Sequence, residues 1–282
     1  MWTGSMEMPR GCGTPGACQA HFILSANQIA LGELSGWVSP RSKERPWYRV
    51  LESSAKAGPS GPSFLTTVRA SGQVTADRLQ VQSLTAARVS AKVSLDGGKL
   101  QITGLNADFL GGKHRGQWLV DFSVKPAVCS GSGSLTGVPL ERVADAMRDE
   151  WIEGAADSSY EVKGLCSTEF WQSAEGVLQV DMKDGILPHV ALSEDSEPFK
   201  VTDFTGQARL HAGGIEIEDA KLDSPDGKFQ MSGTASLKGE LDLKLARVPG
   251  GTAPPGYTIT GTLAEPRVIR STNPETQARL KP

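Results

Sequence analysis

Hydrophobic and polar residues alternate along most of the chain from Phe64 onward. Clear examples are the runs at residues 89–95, 118–124 and 241–245, in which every second residue is apolar. Alternation with a period of two gives a β-strand one apolar face and one wet face. Glycine-containing pairs such as Asp96-Gly97 separate the runs, as hairpin turns require. The pattern predicts a mainly β protein whose antiparallel strands are roughly 5–8 residues long.

One segment departs from the alternation and follows a helical period. In residues 138–151, apolar side chains recur three or four positions apart on one helical face, and Pro139 stands where a first helical turn tolerates proline. We predict one inserted amphipathic helix that begins near Pro139 and packs as a cap on the sheet. A membrane-surface role is the less favoured alternative, because the polar face of the helix is acidic rather than rich in Lys and Arg.

The N-terminal segment has a different pattern from the rest of the chain. Residues 21–30 read as one strand, and residues 31–40 and 46–54 read as short helices. The turn-rich sequence AGPSGPS at 57–63 indicates a linker. We therefore divide the chain into an N-terminal segment with strand and short helices (1–63), a β-rich region (64–270) and a flexible tail (271–282).

An internal repeat is the strongest signal within the β-rich region. Residues 89–113 align without a gap on residues 204–228, so that Leu100 and Ile102 fall on Ile215 and Ile217. Repeats of this kind form units that contact mainly their neighbours in the chain. We predict two related copies, at about 64–135 and 176–245, whose matched side chains face the same side of the sheet.

Composition and charge exclude one large class of partner. The formal net charge is −3, and aromatic residues make up 6% of the chain. A weak net charge and few aromatic rings supply neither the electrostatic attraction nor the stacking that nucleic acid needs. We therefore expect no nucleic-acid partner.

The four cysteines do not form a metal-binding pattern. Cys12 and Cys18 either close a small disulfide loop in an oxidising compartment or remain free thiols. We expect Cys129 and Cys166 on separate strands, and their spacing does not decide whether they pair. No Cys/His spacing fits a zinc site, so we expect no metal.

A GxGxxG match, the scattered histidines and a basic run each have a simpler explanation than a functional site. Residues 11–16 match GxGxxG, but no strand precedes the motif, no helix follows it and a proline interrupts it, so it does not predict a dinucleotide site. The four histidines are scattered, and no catalytic motif is present; we expect no cofactor and no enzymatic activity. The basic run at 41–49, beside Trp47 and Tyr48, is more simply a solvated face than a lipid-headgroup contact.

The order of several loose motifs resembles the AsmA family of envelope proteins. They are the hairpin series GGIEIEDAKLDSPDGKFQMSGTASLKGELDLKL at 213–245, YTITGTLAEPRV at 257–268, SGSGSLTGVPLERV at 130–143 and GLNADFLGGKHRGQW at 104–118. The resemblance implies an elongated, curved antiparallel sheet, a repeating β-groove with a hydrophobic concave face. It also implies a periplasmic protein that is anchored in the inner membrane and supports outer-membrane lipid homeostasis.

No apolar run in the chain approaches the roughly 18–20 residues that cross a bilayer. We therefore expect that the family's N-terminal anchor, which would provide membrane contact, lies upstream of Met1 or was never present. An upstream anchor would make the chain a piece of a longer protein.

Two functions follow from the alternation and the resemblance. In the first, the apolar face shelters or conducts phospholipid acyl chains. In the second, the chain is a structural or assembly module whose apolar face is covered by another envelope protein or by further repeats. The predicted groove residues are Trp118, Val120, Phe122, Ile215, Ile217, Leu241, Leu243 and Leu245.

Overall fold

The computed structural model describes residues 2–8, 19–30, 64–66, 68–81, 84–167, 170–193, 197–248 and 256–271. Several predicted features lie outside the described residues. They are the N-terminal helices, the basic run, the GxGxxG motif, the linker at 57–63, Cys12, Cys18 and most of the C-terminal tail.

The mainly β prediction is confirmed: the described residues form fifteen strands, hydrogen-bonded in the order in which they follow along the chain. The first six are β1 (Trp2–Glu7), β2 (Gln19–Ala30), β3 (Arg69–Val81), β4 (Leu84–Asp96), β5 (Lys99–Phe109) and β6 (Gly112–Asp121). The other nine are β7 (Val128–Pro139), β8 (Glu153–Leu165), β9 (Glu175–Leu187), β10 (Phe199–His211), β11 (Gly214–Ser224), β12 (Gly227–Ser236), β13 (Glu240–Arg247), β14 (Gly256–Thr262) and β15 (Pro266–Ser271).

Three details of the strands differ from the sequence-based expectation. β2 to β12 have 10 to 13 residues each and are longer than predicted. Strand β1 was not predicted, because the run WTGSME has no apolar alternation. β2 and β3 pair in parallel, with Phe22 opposite Gly72, so the sheet is mixed rather than purely antiparallel.

Two helices of four or more residues occur in the described part of the chain. Helix α1 covers Leu140–Met147, where the sequence predicts a helix starting near Pro139. Its C-cap, Arg148, is left-handed with φ 61°, and the Arg148 N–H donates to the carbonyl of Asp145. Helix α2 is the single turn Phe170–Ser173, which the sequence analysis did not predict.

The chain divides into two compact units. Unit 1 contains residues 1–108 and 115–129, and unit 2 contains residues 109–114 and 130–282. The buried apolar side chains of unit 1 are mostly alanines, whereas unit 2 buries Phe199 and Phe229, each at most 2% exposed. Unit 2 therefore has the deeper hydrophobic core.

The strands that correspond to the repeat have matching bounds. Strands β4, β5 and β6 begin and end 115 positions before β10, β11 and β12, respectively. The turns Gly97-Gly98 and Ala212-Gly213 both have two residues with positive φ, the type I′ geometry that suits a two-residue hairpin. The next turn differs, because Leu110 and Gly111 have positive φ whereas the corresponding turn in the second copy contains Pro225 and Asp226.

Candidate functional site

One face of the unit 2 sheet carries an apolar row that crosses eight strands. Residues directly opposite each other in neighbouring strands point to the same side of a sheet. The strand registers therefore place one continuous row on one face: Tyr160, Leu178, Ala208, Ile217, Gly233, Leu243, Ile259 and Val268. Tyr160 is the one member of this row with a polar side-chain atom.

A bulge in β11 keeps this face apolar. The register shifts between Gln207 and Ala208 and between Ile217 and Ala220. Two successive residues, Glu218 and Asp219, are both exposed, and the apolar side chains on either side of them return to the same face. A bulge adds residues to one strand and changes the phase of its alternation.

The apolar face is covered at one end of the strands. Helix α1, the residues before β8 and the loop before β10 pack there against the sheet. The buried cluster consists of Ala144, Ile152, Ala156, Met182, Val190, Phe199, Val201, Leu222, Phe229, Leu245 and Ile259. Phe199 and Phe229 meet edge to face with ring centroids 5.9 Å apart, an arrangement that aromatic pairs favour.

Coverage decreases toward the other end of the same face. Leu241 and Leu243 are half-buried and pack against the edge of the cluster. Ile215 and Ile217 are also half-buried, but they do not belong to it. The four side chains of Ile215, Ile217, Leu241 and Leu243 therefore form an apolar strip, which the described residues of the chain cover only in part.

The opposite face of the same strands is polar. Arg209 pairs with Glu218 at 2.6 Å, and Lys228 pairs with Asp223 at 2.8 Å. The hydrogen bond from Lys228 to the Asp223 carboxylate raises the pKa of Lys228. Such exposed pairs contribute little to stability, so their main consequence is a wet outer face.

Unit 1 also carries half-buried apolar side chains. Phe22 lies over Gly72, where a Cβ atom would meet the Phe22 ring at 2.5 Å, and Val93 continues this row on β4. The predicted groove residues Trp118 and Val120 lie on β6 and are half-buried. Phe122 lies just beyond β6, and its N–H donates to the Gly98 carbonyl at 2.8 Å.

The structure places five of the predicted groove residues on one face of unit 2. Ile215, Ile217, Leu241 and Leu243 are half-buried there, whereas Leu245 is 2% exposed and belongs to the core. The other three predicted groove residues lie in unit 1: Trp118, Val120 and Phe122. Whether any of the eight contacts lipid stays a prediction.

Sequence reasoning missed three residues of this face that lie on β8 and β9. Leu178 and Val180 alternate with polar residues in the sequence, a signal that was recognised as a strand but not as part of the site. Tyr160 lies in the run SSYEVKG, whose alternation is too weak to mark its inner face. Only the strand registers place all three on the apolar face.

One titratable pair lies on the apolar face. The Nε2 atom of His114 is 2.7 Å from the hydroxyl of Tyr160, and the two rings are stacked with centroids 5.9 Å apart. Burial lowers the pKa of His114. Two histidine–carboxylate contacts, His189 with Asp149 at 3.7 Å and His211 with Glu175 at 3.6 Å, lie elsewhere among the described residues.

Neither metal ligands nor a membrane-spanning helix is found in the part of the chain that the structure describes. No group of three or more His, Cys, Asp or Glu side chains could hold a metal ion there. Among the same residues, no helix is long and apolar enough to cross a membrane.

Together, the fold and the face define a class: a mainly β protein whose unit 2 sheet is polar on one face and apolar on the other. A family model described as AsmA family matches residues 61–240, so the chain belongs to the AsmA family. Membership indicates a cell-envelope protein of a family that is generally non-enzymatic. No curated protein and no solved structure matches the chain.

Proposed function

We propose that this protein is a non-catalytic periplasmic protein that shelters phospholipid acyl chains on the apolar face of its unit 2 sheet. Through that binding it supports lipid homeostasis of the outer membrane. The observation that carries the proposal is the strip of half-buried apolar side chains at Ile215, Ile217, Leu241 and Leu243. A strip of this kind needs a cover, either an apolar ligand or another protein surface.

The dimensions of the strands suit an acyl chain. A strand of 11 residues such as β11 spans roughly 35 Å, since each residue adds about 3.3 Å. Burial of an acyl chain contributes about 0.8 kcal/mol per CH₂ group, so partial burial on a shallow face is enough for reversible binding.

Cysteine oxidation supports the proposed compartment. Cys129 and Cys166 are both disulfide-bonded. Disulfides form and persist in oxidising compartments such as the periplasm and are rare in the cytosol. This chemistry and the family membership point to the same side of the inner membrane.

Mass spectrometry of co-purified lipid tests the proposal. The wild type is compared with a variant carrying Ile217→Asp and Leu243→Asp, which places two charges on the apolar face. A matched control carries Gln179→Asp and Lys244→Asp, at exposed positions of the polar face. We expect phospholipid with the wild type and the control, and at least a several-fold loss with the apolar-face variant.

Folding of each variant is checked by circular dichroism before the lipid is measured. If the folded apolar-face variant retains as much lipid as the wild type, this face is not the binding site. If the wild type carries no lipid and takes up none from phospholipid vesicles, the proposal fails. The structural or assembly module, with a protein partner on the apolar face, then becomes the better explanation.

A further inference from the structure

A hydrogen-bonded polar pair interrupts the apolar face of unit 2. His114 lies on β6 and Tyr160 on β8, and β7 lies between them in the strand order. Neighbouring strands are about 4.8 Å apart, so two side chains that meet from β6 and β8 must both rise above β7 on the same face. The Nε2–hydroxyl distance of 2.7 Å shows that they meet.

The registers identify which face this is. Tyr160 lies opposite Leu178, and the row continues from there through Ala208 to Ile217 and Leu243. The His114–Tyr160 pair therefore lies on the face of the proposed acyl strip, and Tyr160 lies in the same row as two members of that strip. The adjacent residues on β6, Lys113 and Arg115, are exposed, as alternation requires of the opposite face.

The second copy of the repeat carries an apolar residue at the position equivalent to His114. The position of His114 in β6 corresponds to Phe229 in β12, 115 residues later. Phe229 is 2% exposed and purely apolar. A polar ring thus replaces a core phenylalanine at the equivalent place in the first copy.

The pair has the hydrogen-bonding properties of an uncharged site. Burial lowers the pKa of His114, so the imidazole is neutral at neutral pH. The Nε2 atom of His114 is hydrogen-bonded to Tyr160, and no described residue forms a hydrogen bond with Nδ1. The Nδ1 atom is therefore available for a hydrogen bond to a ligand. A buried phosphate would need a cation on the same face, whereas a carbonyl oxygen needs only a hydrogen-bond donor.

We propose that His114 and Tyr160 form a hydrogen-bonding subsite for the ester linkage of a diacyl lipid whose chains lie on the apolar face of unit 2. The proposal rests on the proposed function and assigns it a point of recognition. The ester carbonyl accepts from the neutral His–Tyr pair, and the acyl chain extends along the row toward Ile217 and Leu243. The pair fixes how far the polar part of the lipid enters the apolar face.

A comparison of ester-linked and ether-linked lipids tests the subsite, because an ether lipid keeps the chains and headgroup but lacks the carbonyl. The full chain is equilibrated with vesicles of dioleoyl phosphatidylcholine or of its dialkyl ether analogue, and bound lipid is counted by mass spectrometry. For the wild type we expect a preference for the ester lipid of about threefold to tenfold, the ratio that one neutral hydrogen bond supplies.

Two variants remove the pair without removing the surface. Tyr160→Phe deletes the hydroxyl, and His114→Phe introduces the residue that the second copy carries at the equivalent position. We expect both variants to bind the two lipids equally and to bind the ether lipid at least as well as the wild type does.

The outcomes separate the subsite from the proposed function. If the wild type binds both lipids equally, the subsite is wrong and the acyl-chain function stands. The same holds if both folded variants keep the ester preference. If the wild type binds neither lipid, the subsite and the proposed function fail together.

Discussion

The two units use corresponding strands but bury different side chains. In β4 and β5, the residues Leu84, Ala86 and Ala107 occupy the positions that Phe199, Val201 and Leu222 occupy in β10 and β11. The second set is at most 3% exposed and belongs to the large cluster of unit 2. Among the described residues of unit 1, five of the seven buried apolar residues are alanines: Ala20, Ala26, Ala76, Ala86 and Ala107.

This difference separates two sets of features. One determines the shared frame, meaning the strand bounds and turns that are common to the two copies, and the other determines the depth of the core. Alternation and the positive-φ turns are common to both copies, and so are the strand bounds. The depth of the core follows from side-chain volume and from α1 and the loop before β10, which pack on the second copy. A shared frame therefore supports a thick core in one unit and a layer of small side chains in the other.

Truncation of Phe229 is expected to have the largest effect, because it opens a cavity in the cluster of unit 2. Phe229→Ala should lower the free energy of unfolding by about 3–5 kcal/mol. The matched control in unit 1 is Phe22→Ala, which shortens a half-buried ring and should cost less than half as much. Urea unfolding of both variants provides the measurement. Equal losses would show that the two units do not differ in core depth.

The sequence predicts the mainly β fold and the family, because both depend on patterns that survive without tertiary information. Alternation such as Leu241, Leu243 and Leu245 marks a face of a strand wherever the strand lies. The order of the loose motifs carries the resemblance to the family, whose model matches residues 61–240. The predicted helix near Pro139 corresponds to α1 for the same reason, since its period of apolar residues is local.

The sequence does not predict features that depend on a distant neighbour. The run WTGSME forms β1 because it pairs with β2, with Trp2 opposite Ala26, and not because of its own pattern. Leu245 belongs to the same buried cluster as Ile152 and Val190, which lie outside β13, so its core position could not be read from β13 alone. The His114–Tyr160 contact joins residues 46 positions apart and likewise depends on strand order.

The first hairpin turn of each copy allows a sharper test of the shared frame. Gly97 and Ala212 occupy the same turn position, with φ values of 57° and 48°. An L side chain in the left-handed region costs about 1 kcal/mol, and a Cβ atom at Gly97 would meet nothing within 4 Å. Gly97→Ala should therefore destabilise the protein by about 1 kcal/mol, and Ala212→Gly should stabilise it by a similar amount.

Thermal unfolding of the two turn variants and of their double mutant measures this pair of effects. Because the turns are separate sites, the double mutant should return to the stability of the wild type. A loss in both single variants would mean that the turns differ in conformation and that the frame is not shared.

The smallest expected effect concerns the position at which the two copies exchange a histidine for a phenylalanine. Burial lowers the pKa of His114 from its model-peptide value of 6.5, so the unfolded chain binds a proton there at a higher pH than the folded protein does. Stability therefore falls as the pH drops through 6.5, and the loss levels off once the folded protein also becomes protonated. His114→Gln keeps a hydrogen-bonding group beside Tyr160 but does not titrate, so it should lose less stability than the wild type between about pH 7.5 and about pH 5. Urea unfolding at several pH values provides the measurement, with His114→Phe as a second non-titrating variant. Parallel pH dependences for all three proteins would mean that the imidazole is as well solvated in the folded sheet as in the unfolded chain, which would contradict its burial on the apolar face.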